Sequence, residues 1–246
     1  MPYLIVSDIH SNSEGLEAAL ADAQGQYDRI FCLGDLVGYG ADPNPVAEWA
    51  RAETAATVRG NHDRACVGSD DLEGFNPSAR LSAMWTRGVL TPENREYLER
   101  LPRGPVRIVD GAANGDFDLA HGSPLDEDDY LIVPEDLRFM RPYLETQVTF
   151  FGHTHVQGGF RLSRTGVRRL DPDAVLELEP DYFYLVNPGS VGQPRDGDPR
   201  AAYALYSPEN RTIEFRRAAY DVAKTAAKIL GAGLPPPLAA RLFEGM

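Results

Sequence analysis

Only five histidines occur in the 246 residues, and each falls near glycine, aspartate or asparagine where an apolar run ends: His10, His62, His121, His153 and His155. Histidines kept for packing would also scatter over helix faces and surface loops. Imidazoles gathered with carboxylates at strand ends suit divalent cations or proton transfer.

Asp8-Ile9-His10 follows the first apolar run directly. On an extended backbone residues two apart share a side, so an aspartate oxygen and a histidine nitrogen could hold one cation. The same tripeptide would also serve as an aspartate capping the next turn with a histidine packed beside it. In Gly34-Asp35-Leu36-Val37-Gly38-Tyr39-Gly40 the glycines let the chain turn sharply and project Asp35 from a strand end. Its two oxygens could bridge two metals, although a turn aspartate reads equally well in isolation. Gly60-Asn61-His62-Asp63 offers an amide oxygen suited to a metal and an imidazole suited to a proton. An ordinary Gly-Asn turn would not require the histidine and aspartate that follow. His121-Gly122-Ser123 and Gly152-His153-Thr154-His155 complete the set, the paired histidines again on one side of an extended backbone. A surface turn accounts for the second motif but leaves His121 without a reason.

Such residues need strands that end in one place. Tyr3–Ser7 is apolar and β-branched, Glu14–Ala23 carries Leu16, Ala19, Leu20 and Ala23 at helical spacing, and Ile30–Leu33, Asn44–Ala52 and Ala56–Arg59 repeat strand, helix, strand. That alternation implies a parallel sheet. Helices are expected at Ala79–Arg87, from Thr91-Pro92-Glu93 to Arg100, and briefly from Pro134. Strands are expected at Val106–Val109, Asp116–Ala120 and Val148–Phe151. Beyond Gly158, the runs Phe160–Ser163, Val167–Leu170, Tyr182–Val186, Ala201–Tyr206 and Thr212–Arg216 read as a second, largely antiparallel sheet. Tyr220–Leu230 is expected to be helical, with a last short helix after Gly233–Pro237. No linker or repeat divides the chain, so residues 1–246 read as one α/β domain.

In order along the chain, D-x-H, G-D-x-V, G-N-H-D, H-G and G-H-T-H resemble the calcineurin-like metallophosphoesterase superfamily. The later stretch Asn187-Pro188-Gly189-Ser190-Val191-Gly192-Gln193-Pro194-Arg195 is similar to its small bacterial and archaeal phosphodiesterase branch. The resemblance implies a four-layer αββα sandwich of two mixed sheets flanked by helices. It also implies one metal on Asp8, His10, Asp35 and His155, and a second on Asp35, Asn61, His121 and His153. His62 would be the non-ligand histidine near the leaving group. Two divalent ions about 4 Å apart can grip a phosphoryl transition state from both sides and acidify a bridging water into a hydroxide nucleophile. Imidazole and oxygen donors without thiolate favour Mn, Fe, Co, Ni or Zn over Mg or Ca, with manganese placed first.

One departure bears on substrate. Ser/Thr phosphatases of the superfamily carry Asp-Arg where this chain has Gly38-Tyr39, and Glu where Asp63 stands. The arginine clamp for a monoester dianion is missing there, as is the usual orienter of His62. A small or nucleotide-derived diester is therefore expected, with a phosphomonoesterase or protein phosphatase as the alternative. Arg195 is a candidate for the substrate phosphate, unless Asp196 or Asp198 pairs it away. The Asn187–Ser190 stretch is expected to be a turn under the site.

The counts of 24 Lys plus Arg and 37 Asp plus Glu give a net charge of −13, which argues against a nucleic-acid partner and against a nuclease. A non-catalytic scaffold of the same fold is expected to lose metal ligands, whereas every position is filled here. The two cysteines, Cys32 and Cys66, form no metal or redox motif and read as reduced core residues. With no secretory opening and no apolar run of roughly 20 residues, a cytoplasmic protein off the membrane is expected.

Overall fold

The computed structural model describes residues 1–68, 72–109 and 115–246. Its strands are β1 (Tyr3–Val6), β2 (Arg29–Cys32), β3 (Ala56–Thr57), β4 (Val106–Ile108), β5 (Phe117–Leu119), β6 (Val148–Phe150), β7 (Gly158–Leu162), β8 (Val167–Arg169), β9 (Leu176–Glu177), β10 (Phe183–Asn187), β11 (Ala201–Ser207) and β12 (Thr212–Ala218). The helices are α1 (Ser13–Asp22), α2 (Pro43–Glu53), α3 (Asn61–Val67), α4 (Pro77–Val89), α5 (Pro92–Glu99), α6 (Val222–Gly231) and α7 (Pro236–Ala240).

Two mixed six-stranded sheets face each other, in the orders β3-β2-β1-β11-β12-β9 and β4-β5-β6-β10-β7-β8. Alternation along the strands builds the layers. In β1 and the run through β2, Tyr3, Ile5, Phe31 and Leu33 point between the sheets, where Phe117, Phe150, Tyr184 and Tyr206 meet them. The intervening Leu4, Val6, Ile30 and Cys32 face outward onto α1 to α5 through Leu16, Ala19, Val46, Ala50, Cys66, Ala83 and Leu98. Edge-to-face packing of Phe117 on Phe31 (5.2 Å), Phe150 (5.7 Å) and Tyr206 (5.3 Å) ties both sheets to one inner core. Truncating such a ring costs about 3–5 kcal/mol.

The division of strands between sheets differs from the sequence reading. The segments after Gly158 do not make a sheet of their own: β9, β11 and β12 complete the first sheet, and β4, β5 and β6 belong to the second. β11 is buried along all seven residues, so it needs partners on both edges. It finds them in β1, paired antiparallel at Tyr3↔Tyr206, and in β12. Without β11, β1 would expose an unpaired edge. The fourth layer is thin, consisting of two single-turn 3₁₀ helices at Pro134–Leu137 and Arg141–Tyr143; Leu137 and Met140, which lies between the two, cover Phe160, Leu162 and Leu185.

The parallel strands β1, β2 and β3 of one sheet and β5, β6 and β10 of the other end at the same rim. The motif turns leave from that rim. No helix among the described residues is long and apolar enough to cross a membrane.

Candidate metal centre

The turn after β1 carries Asp8 and His10, yet not on the extended backbone expected. Both sit in the left-handed region (φ 52° and 49°), as do Asp35 (52°), His153 (64°) and His155 (59°). A non-glycine residue rarely adopts that conformation, and it survives where surrounding contacts impose it. Here the contacts are backbone bonds between turns: Asp8 N donates to Gly34 O (3.0 Å), His10 N to Asp35 O (2.9 Å) and Gly152 N to His121 O (2.7 Å). His153 and His155 consequently diverge toward two different groups instead of sharing one side.

Asn61 and His62 also lie differently from the strand-end loop expected of them, because α3 begins at Asn61. Asp63 starts it by accepting from Gly60 N (3.0 Å) and from Val37 N (3.2 Å), joining the helix to the turn after β2. His62 N in turn donates to Asp35 Oδ1 (2.8 Å). Gly60 is required by close approach: a Cβ there would stand 2.7 Å from the Asp35 carboxyl carbon.

These turns gather the donors into two buried groups. In one, Asp8, His10, Asp35 and His155 each offer a ligand atom within 4.8 Å of the others; Asp35, His121 and His153 do the same in the second. Asn61 joins the second group through its Oδ1, 3.3 Å from His121 Nε2. Asp35 is common to both, with Oδ2 3.6 Å from His10 Nε2 and 3.4 Å from His121 Nε2. His155 Nε2 lies 3.3 Å from Asp8 Oδ1.

The imidazoles are oriented from behind. Nδ1 of His10 donates to Val37 O (3.1 Å), that of His121 to Leu33 O (2.7 Å) and that of His155 to Gln193 O (2.6 Å), which turns each Nε2 inward. Inside, His10 Nε2 and His155 Nε2 face each other at 3.1 Å, and the buried His153 Nε2 has no hydrogen-bond partner. Lone pairs aimed at one another, and one aimed at nothing, are what a pair of cations would satisfy. The donor set fits two divalent ions.

Charge tells the same story. Burial pushes Asp8 and Asp35 up, but facing histidines, His155 for Asp8 and His121 for Asp35, hold both below the usual carboxylate range. Burial opposes charge on His121, yet Asp35 beside it raises it to about 10. A proton there answers the buried carboxylates, and a bound cation would displace it. Burial depresses His153 to about 3 and His62 to about 4, so both are neutral.

Among the described residues, no carboxylate bonds the His62 ring. Its buried Nδ1 lacks a partner, and its ring is held by Tyr39 (4.4 Å), Phe75 (4.9 Å) and His10 (4.9 Å). A cleft of about 380 Å³ opens over Asn61, His62 and His153 and is lined by Tyr39, Phe75 and Tyr130. Phe75 comes from the loop between α3 and α4, of which residues 69–71 lie outside the described residues, and Tyr130 from the loop before the 3₁₀ helix at Pro134. Tyr130 packs at a tilt against His153 with centroids 3.9 Å apart. Arg64 also lines the cleft but is neutralised by Glu127 and Asp128.

Arg195 is not paired with its neighbours. Asp196 binds Arg217 (2.6 Å) and Asp198 binds Arg200 (2.5 Å), while Arg195 reaches toward Tyr39 OH (3.4 Å). The Asn187–Ser190 turn underlies the site: Ser190 Oγ donates to Asp8 O (2.7 Å), and Asn187 Nδ2 to Gly152 O (2.9 Å). Sequence reasoning missed Phe75 and Tyr130, which stand in no motif.

Two facing mixed sheets with a buried carboxylate and imidazole cluster at their common rim define a metallophosphoesterase-type α/β protein. The chain belongs to the calcineurin-like phosphoesterase superfamily, whose domain matches residues 1–211. It is similar to an uncharacterized protein of Methanocaldococcus jannaschii, 37% identical over 248 residues covering 98% of this chain and 97% of that protein. Among solved structures, a metallophosphoesterase from Sphaerobacter thermophilus is 39% identical with a TM-score of 0.85, covering 100% of this chain and 99% of that one. A hypothetical protein from Pyrococcus horikoshii shares the fold at 23% identity and a TM-score of 0.80, covering 100% and 98% of the two chains.

Proposed function

We propose that the protein is a two-metal phosphodiesterase acting on a small or nucleotide-derived ester. Asp8, His10, Asp35 and His155 would hold one divalent ion, and Asp35, Asn61, His121 and His153 the other, with manganese the first candidate. When bound, such a pair polarises phosphoryl oxygens and lowers the pKa of coordinated water. The observation that carries the reading is the inward set of Nε2 atoms, two at 3.1 Å from each other and one without a partner.

The protein's own groups supply the rest. Neutral His62, at the cleft floor beside Asn61, offers a hydrogen bond to the leaving-group oxygen. Contacts with the rings of Tyr39, Phe75 and His10 fix its plane. Tyr39, Phe75 and Tyr130 suit an aromatic or nucleoside substituent on the ester. Arg64 is already paired, and Gly38-Tyr39 supplies no arginine, so among the described residues nothing on that wall grips a monoester dianion. Diesters are favoured for that reason. Arg195 would contact a substrate phosphate from the opposite side.

Protein stripped by chelator should not hydrolyse bis(p-nitrophenyl) phosphate, and added Mn²⁺ should restore hydrolysis. Absence of activity with every divalent ion tried would overturn the reading.

A further inference from the structure

Beside the metal centre, two guanidinium groups approach one neutral oxygen. Arg195 Nη2 and Arg241 Nη1 lie 3.4 Å and 3.3 Å from Gln193 Oε1, and the buried Nε of Arg195 has no hydrogen-bond partner. Both guanidinium carbons sit over the ring of Tyr39, at 5.9 and 6.0 Å. Arg241 Nε is anchored on Met246 O (2.6 Å). Among the described residues, no aspartate or glutamate comes within 4.0 Å of either guanidinium. In a chain of net charge −13, whose Arg59, Arg64, Arg107, Arg200 and Arg217 are all matched with carboxylates, Arg195 lies beside a second guanidinium with its Nε unpartnered, an arrangement costly to keep without an anion.

The pair stands next to the chemistry. Tyr39, which both arginines overlie, packs against His10 (4.6 Å) and His62 (4.4 Å). Arg195 N donates to His155 O (3.1 Å). Arg241 comes from the segment after α7, beyond the residues matched by the family. That segment docks on the Arg195 loop through Gly197 N to Gly245 O (3.0 Å), and Leu238, Ala239 and Leu242 pack with Tyr39 in one apolar cluster. Charge repulsion from Arg195, after burial, lowers the Arg241 pKa.

We propose that Arg195 and Arg241 form an anion subsite, one aromatic ring away from the metal centre, which takes a second phosphoryl group of the substrate. The substrate class is then a compound with two or more linked phosphoryl groups, one at the metals and the next in the arginine pair in place of Gln193 Oε1. Forked guanidinium donors suit phosphate oxygens geometrically as well as by charge. This deepens the phosphoesterase reading and rests on it.

The test compares equilibrium binding of AMP and of α,β-methylene-ADP to the Mn²⁺-loaded protein by calorimetry. Wild type should prefer the two-phosphorus ligand by roughly 10- to 100-fold, the worth of hydrogen bonds to a charged group. Arg241→Gln and Arg195→Gln should each reduce that preference to about threefold or less, and Arg241→Lys should keep part of it. If Arg241→Gln fails to fold, Arg195→Gln makes the same measurement. A wild type without preference, or a glutamine variant that keeps it, overturns the subsite. Bis(p-nitrophenyl) phosphate carries one phosphorus, so its hydrolysis by wild type reports on the phosphoesterase reading alone. Loss of that activity sinks the reading; activity without nucleotide preference sinks only the subsite.

Discussion

Gly60→Ala is a one-carbon probe of the proposed bridging carboxylate. The new Cβ would lie 2.7 Å from the Asp35 carboxyl carbon, and closer to its Oδ1 and backbone nitrogen, whereas ordinary contact begins near 3.4 Å. Asp35 must therefore move by at least about 0.7 Å, and metal sites hold their ligand distances to within about 0.2 Å. Gly60 has φ −96°, so the substitution strains no dihedral, and its cost comes from overlap alone. Overpacking of this kind costs about 1–3 kcal/mol, or roughly 2–12 °C in Tm for a chain of this size. Gly88→Ala is the control: it lies in α4 with no atom within 4 Å of its added Cβ, and should gain about 0.5–1 kcal/mol of helix propensity. Metal per chain after gel filtration, read by inductively coupled plasma mass spectrometry beside calorimetric Tm, should show Gly60→Ala folded, destabilised and below two ions. A Gly60→Ala protein with wild-type Tm and two bound ions would refute the placement of Asp35 between the sites.

Three further outcomes are expected. His62→Ala should keep wild-type metal content and lose roughly 100-fold or more in turnover of bis(p-nitrophenyl) phosphate; a parallel loss of metal would make His62 a ligand instead. Ser190→Ala removes the donor to Asp8 O and the acceptor for Gln193 N, both at 2.7 Å, and should lower stability by about 1–2 kcal/mol by denaturant titration. An unchanged midpoint would show that this turn does not hold the Asp8 loop. Burial pushes the Glu14 carboxyl up, but Lys228 (2.6 Å) and Lys224 (3.1 Å) more than offset this and hold it below its ordinary 4.5. That depressed value contributes stability above pH 4.5, lost as pH falls through it. Glu14→Gln should thus lower Tm at neutral pH, with the gap to wild type closing in acid; a gap that persists there would mean that packing, not charge, is at stake.

The strand-and-turn grammar of the site was legible because it is local. An apolar run that gives way within a few residues to a carboxylate or imidazole marks a strand end, and Asp8, Asp35 and His121 leave β1, β2 and β5 in that way. Less legible was what non-local contacts impose. Spacing alone put Asp8 with His10, and His153 with His155, on extended backbone; bonds between neighbouring turns force them into left-handed conformations instead. The sheet to which β11 belongs depends on the free edge of β1, which lies about two hundred residues away and leaves no periodic trace. Asp63 read as part of a motif, but its work is to start α3. Arg241 had no neighbouring motif at all, and only the docking of the last segment brings it to Arg195.

The most direct measurement is anomalous diffraction from crystals grown with Mn²⁺. Two peaks should appear about 4 Å apart, with Asp35 between them, Asp8, His10 and His155 around one, and Asn61, His121 and His153 around the other. No peak in this cluster, or a single peak that leaves His121 and His153 without a cation, would contradict the two-metal account.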